Sequence, residues 1–231
     1  PKTAGSVDIW ADNTWLALES KAIEGFSAPT TESTIAEIGG TGKRITTVGA
    51  YVTRDTYKTA TASGKLDETT GDSGTFSSCG PTADGRVKPD ISAPGCFIIS
   101  ALSAYDESGT KIVAYSHEAD GRTSEYGYMQ GTSMASPFVA GVVATWLQAC
   151  PTLTPEALKE IIISTSRQDS FTGSLPSDGD NVWGHGKIDA YAGLAKGIAS
   201  TGITEAAMPS VAPCDIAISG NMMTLAFVRD T

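Results

Sequence analysis

Gly131-Thr132-Ser133-Met134-Ala135-Ser136-Pro137 decides how the rest of this chain is read. Gly131 permits a tight backbone approach immediately before a helix. Ser133 then falls at the helix N-terminus, where unpaired amides and the dipole favour negative charge. A serine oxygen placed there can attack a carbonyl while its own N–H helps hold the resulting oxyanion. The N–H at Thr132 is the second candidate donor. The small residues that follow let the helix pass close beneath a sheet. Pro137 is expected within the first turn, where a missing N–H costs little. Taken alone, Ser133 also fits the ordinary role of a helix N-cap, and the Thr132 hydroxyl fits it equally.

Downstream, residues 133–149 are apolar almost all round (Met134, Val139, Val142, Val143, Trp146, Leu147), with Ala135, Ala140, Gly141 and Ala144 between them. A helix without a polar face belongs in the middle of a core. A second helix opens at Thr154-Pro155-Glu156, a hydroxyl cap, a proline at the first position and an acid near the positive dipole end. Its apolar face is Leu158, Ile161 and Ile162. A third helix covers Asp189 to Ala199. Upstream, Ser6–Trp10 and Thr34–Ile38 alternate like half-buried strands, and Arg44–Val52 is a denser β-branched run suited to a strand covered on both faces. Residues 53–75 read as a polar surface loop, and Phe97–Ser100 as a further strand. After Gly202 a linker precedes a strand pair, Ile216–Ile218 and Met223–Phe227.

Composition narrows the function. The 231 residues are 40% hydrophobic and 18% charged, with 25 Gly and 11 Pro, the profile of a loop-rich globular chain and not of a disordered one. A net charge of −10 argues against nucleic acid or an anionic membrane as partner. No apolar run approaches the ~18–20 residues of a membrane span. The four cysteines (Cys79, Cys96, Cys150, Cys214) lack CxxC spacing, so zinc is poorly supported; free and paired states both remain open. Pro1-Lys2-Thr3 shows no initiator Met and no signal peptide, and the chain is expected to be a piece of a longer protein.

The Gly131–Pro137 segment resembles the nucleophile motif of the subtilisin-like serine proteases, the subtilases. Four further blocks agree in order: Ile45–Ala50, the Thr75–Pro81 turn, Lys88–Gly95, and the closing Trp183–Ala190 segment. The resemblance implies an α/β fold in which residues 41–202 supply the later strands and helices of a doubly wound, mostly parallel sheet. Residues 1–40 would be a β-rich segment, the end of an inserted β-sandwich, and 203–231 a linker and the start of a β appendage. It also implies an endopeptidase acting on polypeptides through Ser133, with the backbone N–H of Ser133 and Thr132 at the oxyanion. No cofactor is required, though structural calcium at Asp67, Glu68 and Asp72 is open, with a solvated loop as the other reading. The location the resemblance implies is secreted or cell envelope.

The departures from the family pattern matter as much. In the family an Asp, a His and an oxyanion-hole Asn precede the serine. Here the two histidines are His117, in a polar loop, and His185, inside the closing block. Asn13 lacks the family context, and Asn181 and Asn221 follow Ser133. Asp84, Asp90 and Asp189 match structural positions, and Phe138 stands where relatives often carry a non-catalytic His. Tyr115, Tyr126 and Tyr128 are candidates for a substrate cleft or for ordinary loop aromatics. The expectation is that His, Asp and Asn belong to a separate N-terminal half, which is then the partner, and that the isolated chain is inactive. The alternatives are a non-catalytic homologue serving as a binding or regulatory module, and a Glu-Asp-Ser relative, against which the Met134–Pro137 continuation speaks.

Overall fold

The computed structural model describes residues 9–10, 30–35, 37–40, 42–58, 62–103, 105, 117–119, 122–200, 214–219 and 222–227. Two parallel strands form its centre, β1 (Val48–Val52) and β4 (Ile91–Cys96), registered Val48 to Ile91 through Ala50 to Ala93. Both are covered on each face, as a continuous apolar run requires: Ala50, Val52, Ile91, Ala93 and Cys96 are buried. The connection between them carries a two-stranded hairpin, β2 (Thr56–Lys58) and β3 (Ser63–Lys65). Past β4 the chain turns into β5 (Ile98–Ala101), which pairs antiparallel with β8 (Tyr126–Met129). Between these lie β6 (His117–Ala119) and β7 (Arg122–Ser124), an antiparallel pair.

Helix α2 (Thr132–Ala149) packs on β1 and β4, with Ala135, Val139 and Trp146 in the core. Helix α3 (Pro155–Ser164) opens as its sequence dictates: Thr154 Oγ1 accepts the Ala157 amide at 3.2 Å, and Ile161 and Ile162 are buried. Asp189 does the same for α4 (Ala190–Ser200), accepting the Ala192 amide at 2.8 Å. The closing block lies along the outer edge of β4, where the Ser92 amide donates to Gly186 O and the Ile188 amide to Ser92 O. The tail forms an antiparallel hairpin, β9 (Cys214–Ser219) and β10 (Met222–Phe227).

Several expectations are corrected. The run at 44–52 is strand only from Val48, because the Asp90 carboxylate takes the Thr47 amide at 2.7 Å and ends the extended pairing there. Thr34–Ile38 is not a strand: the amides of Thr34 and Ile35 both donate to Cys79 O, and Glu37–Gly40 close a helical turn, α1. The described part of residues 1–40 holds no strand; Ser6–Asp8 lie outside the described residues, and the Trp10 indole donates to Ser33 O. The 53–75 loop contains the β2–β3 hairpin, and the 88–95 block is itself largely β4. Pro137 lies inside α2 beyond its first turn, so the carbonyl of Ser133 loses its i+4 donor.

The largest correction concerns α2. An apolar helix was expected to be enclosed, yet Phe138 is 44% exposed and Ala140, Gly141 and Ala144 face outward. One side rests on β1, β4 and α4, and nothing among the described residues covers the other. Cys79, Cys96 and Cys150 are free thiols.

Candidate active site

The site is assembled from the end of β4. A Cβ on Gly95 would lie 2.5 Å from Ala50 Cβ, 3.0 Å from the Gly131 carbonyl oxygen and 3.2 Å from Ala135 Cβ. Only a residue without a side chain lets β1, β4 and the start of α2 meet there. The Gly131 amide donates to Gly95 O at 2.8 Å, and Gly131 takes φ +144°, closed to L side chains. Gly131 is also the helix N-cap, without a side-chain cap bond.

That disposes of the capping role for Ser133 and Thr132. Thr132 is the first helical residue and Ser133 the second. Ser133 is exposed, Thr132 half-buried, and among the described residues the Ser133 hydroxyl has no hydrogen-bond partner. The Met134 and Ala135 amides both turn back to Gly131 O, at 3.0 and 3.4 Å. The amides of Thr132 and Ser133 precede them in the helix's first turn, the donors a helix leaves unpaired. A free hydroxyl thus stands beside free N–H groups at the positive end of an 18-residue helix. Such a constellation can bind a carbonyl oxygen that gains negative charge. It lacks a base.

His185 does not supply one. The His185 amide donates to Asp90 O, at the start of β4, whereas Ser133 sits beyond Gly95 at its other end. Five strand residues put those ends about 16 Å apart. Burial pushes the His185 imidazole below its ordinary pKa, with Asp90 and Asp178 opposing in part. His117 is in β6, with only its backbone described. The aspartates are spent on structure. Asp90 pairs with Lys88 (2.5 Å) and Lys159 (2.9 Å), and Asp189 caps α4. Hydrogen bonds from Arg86 and Thr82 hold Asp84 at about 2. Asn181 binds Gly80 through its backbone, its Oδ1 buried and unpaired, while Asn13, Asn221 and Tyr115 lie outside the described residues.

Of the acidic loop, Glu68 accepts the Thr75 hydroxyl at 2.6 Å, and among the described residues no three acidic, His or Cys side chains converge as metal ligands. Tyr126 is exposed, whereas Tyr128 stacks on Phe97 in a small second core. Phe97, read from the sequence as the first residue of a strand, instead takes φ +53° and precedes β5.

Comparison with known proteins follows the same line. The Peptidase_S8 model, described as the subtilase family, matches residues 24–189. Serine protease AprX of Bacillus subtilis is 36% identical over 151 residues, 65% of this chain and 30% of that protein. Minor extracellular protease Vpr of the same organism is 34% identical over 166 residues, 71% of this chain and 18% of its own length. The solved CspB protease of Clostridium perfringens aligns with a TM-score of 0.49 at 21% identity, over 74% of this chain and 30% of that one. The chain spans less than a third of each.

Proposed function

The chain belongs to the subtilase family of serine proteases, and from that premise we propose that Ser133 is the nucleophile of an endopeptidase whose general base lies outside these residues. In the complete protein Ser133 Oγ attacks the scissile carbonyl, a histidine takes its proton and an aspartate orients that histidine. The amides at Ser133 and Thr132, with an asparagine side chain from the other half, hold the oxyanion. The observation that carries this reading is the exposed, unpartnered Ser133 hydroxyl in the first turn of α2. No cofactor is needed for these steps.

The partner half is supported by what α2 leaves open. Beside α2 runs a groove of about 270 Å³, lined by apolar Val48, Val143 and Leu158 and by polar Arg44, Thr46, Ser136 and Lys159. Phe138 on the same helix is 44% exposed, and leaving its apolar area in water is unfavourable by roughly 25 cal/mol per Å². A second half of the protein, covalently joined or associated, covers it. The substrate is a polypeptide. Vpr is by name extracellular, and we place this chain outside the cell on that likeness; among the described residues no helix is long and apolar enough to cross a membrane.

A fluorophosphonate probe tests the proposal. The chain alone should stay unlabelled, since serine without a base is a poor nucleophile at neutral pH. With the upstream half present, Ser133 should label, and Ser133→Ala should abolish it. Strong labelling of the lone chain would sink the missing-base reading, and a complete protein inert to the probe would make the chain a non-catalytic module.

A further inference from the structure

Three consecutive residues at the end of β4 each grip the segment that leads into Ser133. Gly95 O accepts the Gly131 amide at 2.8 Å. Cys96 Sγ lies 3.7 Å from Gln130 Oε1. The Phe97 ring stacks on Tyr128 with centroids 4.5 Å apart and planes 17° from parallel. Phe97 also stacks on Tyr57 of the β2–β3 hairpin, at 5.7 Å and 24°. The order 95-96-97 therefore runs against 131-130-128.

Phe97 meets this geometry in the left-handed region, φ +53°, which a bulky L residue enters only at a steric cost. Such a conformation persists where its surroundings over-determine it, and here Phe97 is 4% exposed and stacked with two tyrosines. Stacked rings attract one another beyond the area they bury, and two such pairs act against the strain. The backbone turn at Phe97 also sends the chain from the parallel pair into β5, which fixes β8 in register up to Met129 against Ile98. The next residues are Gln130, Gly131, Thr132 and Ser133.

We propose that the Tyr57–Phe97–Tyr128 stack is the positioning device for Ser133, and that it couples the β2–β3 hairpin to the reactive hydroxyl. The inference rests on the serine reading above. Phe97 and Tyr57 act through β8 and touch no substrate; they are positioning residues. Their contribution is to hold Ser133 Oγ in line for attack, where a displacement of about 1 Å costs on the order of 100-fold in rate.

The test uses the complete parent protein, with fluorophosphonate labelling, kcat and KM on a peptide substrate, and the thermal midpoint. Phe97→Gly removes the ring while relieving the strained φ. It should slow labelling and kcat by about 10- to 100-fold, leaving KM within about twofold. Tyr57→Ala, altering a half-buried hairpin residue, should slow both in the same sense, and Phe97→Tyr should restore the rate. A Phe97→Gly or Tyr57→Ala protein that labels at the parent rate overturns the proposal, whatever its thermal midpoint. So does a loss in KM alone. If the unaltered protein fails to label at Ser133, the serine reading falls and the proposal with it.

Discussion

Gly95 and Gly131 stand back to back, the amide of one on the carbonyl of the other at 2.8 Å. A methyl group on Gly95 would press on Ala50 Cβ and the Gly131 carbonyl together. Gly95→Ala is therefore expected to lower stability by about 1–3 kcal/mol, the range for overpacking. It should also slow Ser133 labelling in the complete protein. Urea titration beside labelling checks both.

Among the described residues Trp146 is the largest fully buried side chain, its indole N–H on Ala190 O at 2.9 Å. Its ring lies 2.0 Å from where a Cβ on Gly193 would stand. Gly193→Ala should push α4 off α2, cost about 1–3 kcal/mol and shift tryptophan emission to the red. An unchanged midpoint and spectrum would contradict that packing.

Lys187 is 1% exposed, its ammonium shared between Gly71 O and Asp169 Oδ2, each at 2.6 Å, over the rings of Tyr51, Trp183 and Phe171. Burial alone would raise the Asp169 pKa, yet bonds from Lys187 and two amides hold it below the ordinary range. Lys187→Met is expected to cost about 2–4 kcal/mol, below the full buried-pair figure because Asp169 keeps 32% of its side chain in water. Adding Asp169→Leu should recover part of the loss.

His185 gives the stability a pH dependence. Its folded pKa is depressed by burial, so the unfolded chain binds the proton more tightly. Stability from this group is complete above the unfolded value of about 6.5 and falls as pH drops below it. His185→Gln should flatten the denaturation midpoint between about pH 7 and 5; a slope unchanged by the substitution would refute the assignment.

Phe138 is 44% exposed on the bare face of α2. Phe138→Ser should reduce self-association of the isolated chain, measured by light scattering, and weaken its capture of the upstream half. Both shifts are expected together.

Much of this was legible before any coordinates. The serine turn, three helices and the tail hairpin follow from capping residues and apolar periodicity, which act within a few residues. What escaped depended on distant partners. Thr34–Ile38 has strand composition, but Cys79 takes its amides. Arg44–Thr47 has β-branched residues, but Asp90 ends the pairing. Phe97 in a left-handed turn follows from two tyrosines, one 40 residues before it and one after, that no local pattern announces. Around Ser133 the start of the helix was readable, and the grip of β4 on its approach was not.

The register of β1 against β4 also orders events during folding. Thr47 and Asp90 meet across 43 residues of sequence, and closing that loop carries an entropic cost of about 3 kcal/mol before a rung of the parallel ladder forms. The helices need no such closure, since their hydrogen bonds lie within a few residues. Non-local pairing of the β1–β4 kind is what slows a fold of this topology relative to a helical chain.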